Sequence, residues 1–128
     1  MAVLSARSVH CYNTVKMILV DKQTTRGELK QMAAKSFGNL VKAVVDVNKK
    51  TMVVDASLHA DLEAFLLDKG SYQKDLWGIN LYPDLEGEEF VEFDSMINLR
   101  PGGGNMSRGV DDPIVQSEIR DIVGSLVK

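Results

Sequence analysis

Cysteine is almost missing from this chain: a single thiol, Cys11, stands among 128 residues. One cysteine cannot close an internal disulfide, and it excludes a zinc site built from several cysteines. Histidine is scarce as well, with only His10 and His59. That leaves little material for a Ser-His-acid triad. No apolar run approaches the roughly 20 residues that cross a bilayer. Positive charge is not in excess either. Fifteen Lys and Arg against 18 Asp and Glu give a formal net charge of −3 and a pI of about 5.3. This argues against generic nucleic-acid binding through a basic surface and against a polybasic membrane patch. Internal repeats, low-complexity tracts and interdomain linkers are absent too.

What is present has an ordinary globular balance, 45% hydrophobic and 26% charged. The length fits one domain and is enough to bury a core. Residues 1–16 look unlike the rest, with little periodicity. They lack the basic start and unbroken apolar stretch of a secretory signal, and only Arg7 and Lys16 would support a transit-like role. The expectation is a disordered leader over 1–16 and one domain over 17–128, with Met17 a candidate natural start. His10 and Cys11 then carry no chemistry, because nothing nearby supplies the basic setting that activates a thiol.

From Met17 onward the pattern is regular. Met17–Val20 reads as a strand. Thr25 and Glu28 fit a capping box, hydroxyl at the cap and carboxylate three residues on. Leu29, Met32, Ala33 and Phe37 then recur at helical spacing, and Gly38 stops the helix. Residues 40–47 and 51–55 read as a hairpin turning at Asn48-Lys49-Lys50. Leu58, Leu62, Phe65 and Leu66 form a second helical stripe that ends at Gly70. A second hairpin is predicted from Leu76–Tyr82, with Trp77, Ile79 and Leu81 on one face, and a long strand over Glu89–Arg100. In that strand Val91, Phe93, Ser95, Ile97 and Leu99 would share one face. Asp112 caps a last helix, Pro113 takes its first position, and Ile114, Val115, Ile119, Ile122, Val123 and Leu126 form its stripe.

The fold class is therefore α+β: a mixed, mainly antiparallel sheet of about five strands with three helices packed on it, in the order β-α-β-β-α-β-β-α. Its first six elements run as in ferredoxin-like folds, which host many unrelated functions. The phrases KAVVDV, VVDASLHADLE, DLWGINLYP, EFDSMINLRP and GNMSRGV, in that order, resemble a family of small prokaryotic proteins carrying a domain of unknown function. The likeness runs from about Met17 to the C-terminus. It implies a compact cytoplasmic domain and brings no assigned activity, substrate or cofactor.

Three clusters are candidates for chemistry. On the predicted strand over 89–100, Glu92, Asp94, Met96, Asn98 and Arg100 fall on the polar face, and Asn80 on the neighbouring strand can join them. The plainer reading is a solvated outer sheet face. The loop RPGGGNMSRG follows, with four glycines between Pro101 and Gly109. Its amides could converge on an anion with Arg100, Asn105, Ser107 and Arg108. The loop lacks the Gly-Lys-Ser/Thr ending of a P-loop and the spacing of a dinucleotide fingerprint. Asp111 and Asp112 already occupy the positive end of the next helix, so an anion would rest on the arginines and loop amides. The plainer reading is a flexible connection. Third, Asp55, His59 and Glu63 are spaced by four and would share a helix face if the helix started near Asp55. That set is a weak metal or acid–base candidate. Its plainer reading is a strand end or cap at Asp55 and an exposed pair at His59 and Glu63.

Two functions follow as expectations. The first is binding of a small anionic or polar ligand by Asp94, Asn98, Arg100, Asn105, Ser107 and Arg108, with His59 nearby and no reaction that the residues can name. In that case Arg100→Ala or Arg108→Ala removes binding and leaves the melting temperature nearly unchanged. The second is a protein-interaction or homodimer module that uses a sheet edge and Trp77, Tyr82 or Phe90 as aromatic anchors.

Overall fold

Five strands from Val15 onward form one antiparallel sheet, in a computed structural model that describes residues 7–12 and 15–128, with side chains from Met17. Half of the expected leader over 1–16 falls outside those described residues, as do the side chains of His10 and Cys11. The described backbone there is a strand, β1 (Arg7–Tyr12), paired antiparallel with β2 (Val15–Val20). The chain continues through α1 (Arg26–Lys35), β3 (Val41–Asp46), β4 (Thr51–Val54), α2 (His59–Asp68), β5 (Leu76–Leu81), β6 (Val91–Glu92) and α3 (Pro113–Leu126). The sheet order is β1-β2-β4-β3-β5-β6.

The helix ends follow their sequence signals. Thr25 Oγ1 accepts from the Glu28 amide, and Glu28 returns a carboxylate to the Thr25 amide, both at 3.1 Å. Gly38 takes the left-handed φ of 92° that a side chain disfavours, and its amide closes on Ala33 O. Asp112 caps α3 through the Ile114 amide at 2.9 Å. Three stripe members differ from expectation, and one of them, Leu58, stands before α2 at its N-cap and is exposed. Phe37 lies past the end of α1 and is exposed, with Lys42 Nζ over its ring at 5.1 Å. Ile114 sits in the first turn of α3 and points to solvent.

Topology decides where the helices go. The crossovers β2-α1-β3 and β4-α2-β5 each skip one strand and step the same way across the sheet. Because β2 and β4 are antiparallel, crossovers of one hand put α1 and α2 on opposite faces. In a ferredoxin-like sheet the fourth strand returns beside the first; here β5 adds beside β3 instead. Two cores result. One packs Leu29, Met32, Ile119 and Val123 of α1 and α3 against Val41, Ala43, Val45 and Ile79. The other packs Leu62, Phe65 and Leu66 of α2 against Met17, Val44, Val53 and Leu76. Coverage on both faces explains why β3, β4 and β5 are buried nearly throughout.

The predicted long strand over 89–100 is the main correction. It pairs only at Val91 and Glu92. A 3₁₀ turn then occupies Met96–Asn98. Ser95 Oγ accepts from the Ile97 amide at 3.3 Å, a local bond that competes with a strand ladder. The supposed apolar face is split: Val91 and Phe93 join the α1/α3 core, Ile97 joins the α2 core, and Leu99 is exposed. The chain wraps round the outer edge of β5 from one face to the other. No helix among the described residues is long and apolar enough to cross a membrane.

Candidate functional site

The 94–109 segment is held by side-chain amides. Beyond Glu92, β6 no longer runs beside β5, and Gly78 would be left with an unpaired N–H and C=O. Asn98 supplies both partners: its Oδ1 accepts from the Gly78 amide at 2.8 Å, and its Nδ2 donates to Gly78 O at 2.9 Å and Arg108 O at 3.0 Å. A buried backbone pair demands such a partner. Gly78 is required by close approach, since a Cβ there would meet Ser95 Cβ and Oγ at 2.6 Å. Asn105 is buried as well. Its Nδ2 points at the carbonyls of Asn98, Ser107 and Gly109, and its Oδ1 accepts from the Asp111 amide at 2.8 Å.

Arg100 is spent in the same way. Its guanidinium donates to the carbonyls of Ile97, Gln73 and Leu76 and lies over the Trp77 ring at 4.3 Å. Partial burial pulls its pKa below the ordinary arginine value, against a smaller opposing pull from Glu63. Ser107 donates to Asp111. That hydroxyl, followed by the Met106 amide, holds the exposed Asp111 carboxyl below its usual range. Of the six residues expected to bind a ligand, four thus hold this segment together. The other two, Asp94 and Arg108, form a 2.7 Å ion pair open to solvent.

A second constellation lies on the α2 face of the sheet, toward one end. Lys42 and Asn80 are partners across β3 and β5, and Asn80 and Glu92 across β5 and β6. Cross-strand partners share a face. Asn80 is 5% exposed. Its Nδ2 donates to Glu92 Oε1 at 2.9 Å and reaches the Asp94 carbonyl at 3.4 Å, and Tyr82 donates its hydroxyl to the same Glu92 oxygen at 2.9 Å. Burial, with the Glu92 carboxylate next, raises the Tyr82 pKa. The other end of the Asn80 amide, Oδ1, is buried with no hydrogen-bond partner among the described residues. Turning the amide over would press its oxygen on a carboxylate and a carbonyl, so the orientation is fixed by its acceptors.

His59 stands beside this group at the first residue of α2. It is 7% exposed, and its Nε2 lies 2.8 Å from the carbonyl of Ile79, the neighbour of Asn80. A carbonyl only accepts, so Nε2 carries the proton and Nδ1 a bare lone pair. Burial lowers the His59 pKa, partly countered by the bond to Ile79 O. Lys42 and Arg108 push further down, and Asp94 pushes up. The ring is accordingly neutral near pH 7. His59, Lys42, Asn80, Glu92, Asp94 and Arg108 are thus drawn to one place, while Asn98 and Arg100 are turned to structural work.

The metal candidates are not assembled on one helix face. The helix begins at His59, and Asp55 precedes it in a left-handed conformation with φ 77°. Glu63 receives a 3.4 Å contact from Gln73. No group of three or more His, Cys, Asp or Glu able to hold a metal occurs among the described residues.

Sequence reasoning placed Asn80, Glu92 and Asp94 together and set His59 nearby. It missed Lys42 and Tyr82. Hairpin register could not have found Lys42, which lies opposite Asn80 only because β5 pairs with β3, a strand separated from it in the chain by β4 and α2. The chain belongs to a family described as proteins of unknown function, DUF5674, whose model matches residues 18–126. No curated protein and no solved structure matches it significantly.

Proposed function

We propose that the domain binds a small polar molecule on the α2 face of its sheet, at His59, Asn80, Glu92, Asp94 and Arg108. The observation that carries this reading is the buried, unpartnered Oδ1 of Asn80. A buried acceptor without a donor costs about 1–3 kcal/mol, and a bound molecule removes that cost. The exposed Asp94–Arg108 pair at the margin adds one charge of each sign. Anion binding by the glycine-rich loop has less support, because Arg100, Asn105 and Ser107 already have partners. The test is a two-dimensional NMR titration with pooled small metabolites. Saturable shifts clustered on His59, Asn80 and Asp94 are expected. Shifts confined to 100–107 would move the site to the loop.

A protein-interaction module is the second reading. Met96 and Met106, 61% and 67% exposed, favour it on the outside of the 94–109 segment. The earlier aromatic anchors fit it less well: Phe90 is buried under Arg26, and Trp77 is covered by Arg100. Light scattering coupled to gel filtration tests the homodimer form. A monomer at high concentration argues against it.

A further inference from the structure

We infer that the molecule taken by this site presents N–H donors, as an amide, an amidine or an amino-substituted heterocycle does, to the acceptor that the fold leaves unpartnered. The inference rests on the ligand-binding reading above and specifies its chemistry. Around Asn80 the nearest donors are spent and an acceptor is kept, while Lys42 and Arg108 keep further N–H groups at the margin. The Tyr82 hydroxyl proton and an Asn80 amide proton both go to Glu92 Oε1. The Arg108 Nε proton goes to Asp94. Lys42 Nζ is seated over the Phe37 ring. The His59 Nε2 proton goes to Ile79 O.

What remains is Asn80 Oδ1, buried without a partner, and the bare Nδ1 of a His59 that is itself 7% exposed. The two acceptors belong to neighbouring places in the fold, since His59 is tied to Ile79 and the buried orphan oxygen belongs to the next residue, Asn80. The Glu92 carboxylate accepts from the other end of the Asn80 amide, and the Asp94 carboxylate is near enough to act on His59. A phosphate or carboxylate placed against Asn80 Oδ1 would meet a lone pair, whereas an N–H group would meet an acceptor.

The test is an NMR titration of the full chain with two sets of probes, read on the Asn80 side-chain amide and the His59 ring nitrogens. Acetamidine, nicotinamide and adenosine form one set; inorganic phosphate and acetate form the other. The expected result is saturable movement of both residues with at least one donor probe and none with the anions. The variant His59→Gln retains an N–H for Ile79 O and moves the second acceptor from the ring position to an amide oxygen elsewhere. It should bind the same probe about tenfold more weakly, the loss of roughly one hydrogen bond, with a backbone spectrum still dispersed. Anions that move His59 and Asn80 while donor probes do not would overturn the donor assignment and leave the site standing. Silence of both sets at those residues would overturn both.

Discussion

At the scale of the residue, chemical type and role separate. Arg100 and Arg108 look alike in sequence, eight positions apart in one polar segment. Arg100 is anchored to three carbonyls and an indole, and Arg108 to one exposed carboxylate. Arg100→Ala is therefore expected to cost on the order of 2 kcal/mol by stranding backbone acceptors. Arg108→Ala should stay within about 1 kcal/mol, as exposed pairs do. Urea denaturation of the two variants checks this, and equal effects would contradict it. His59 carries a second expectation. Its folded pKa is below the unfolded value of about 6.5, so the unfolded chain takes up the proton first as pH falls. Its penalty is absent above about pH 6.5, grows as pH drops from there toward the lower folded value, and is constant below that. Denaturation midpoints between pH 8 and 5 should therefore fall more steeply in the wild type than in His59→Gln. Parallel curves would mean that the ring is solvated.

At the scale of the element, the reading succeeds where one local rule acts alone. The capping box at Thr25, the stop at Gly38 and the Asp112-Pro113 start of α3 each need only neighbours in sequence, and each was legible. Thr25→Ala should cost about 1 kcal/mol, measurable as a fall in the denaturation midpoint. The strand over 89–100 failed because two periodicities coincided. Alternation of apolar residues matched a strand, yet Phe93 and Ile97 serve different cores on opposite faces of the sheet. The deciding contacts are made by Ser95 and Asn98 with Gly78, about twenty residues away, and no window in the sequence contains both. Gly78→Ala places a methyl group into Ser95 and should cost about 1–3 kcal/mol by overpacking. A substitution that left stability unchanged would show that the segment does not press on β5 as described.

At the scale of the whole molecule, one topological choice organises function. Adding β5 beside β3 sends α2 to the face opposite α1 and α3. That leaves His59, at the start of α2, against the end of the sheet where Lys42, Asn80 and Glu92 line up. Individual members of this cluster could be suspected from sequence; their convergence could not, because it depends on strand order. The same choice exposes the edge of β5 beyond Glu92, and the 94–109 segment closes it with Asn98. Asn98, Arg100 and Asn105, expected as ligand contacts, hold that segment against the sheet, and the residues around Asn80 carry the proposed site.

The central claim is that His59 is a neutral acceptor on a buried ring beside Asn80, at the proposed site. Long-range proton–nitrogen NMR of its imidazole at pH 7 tests this directly, with His10 the only other histidine to assign. The account predicts a proton on Nε2, none on Nδ1, and an Nδ1 resonance that moves when a donor probe binds. A proton on Nδ1, or on both nitrogens, would contradict it.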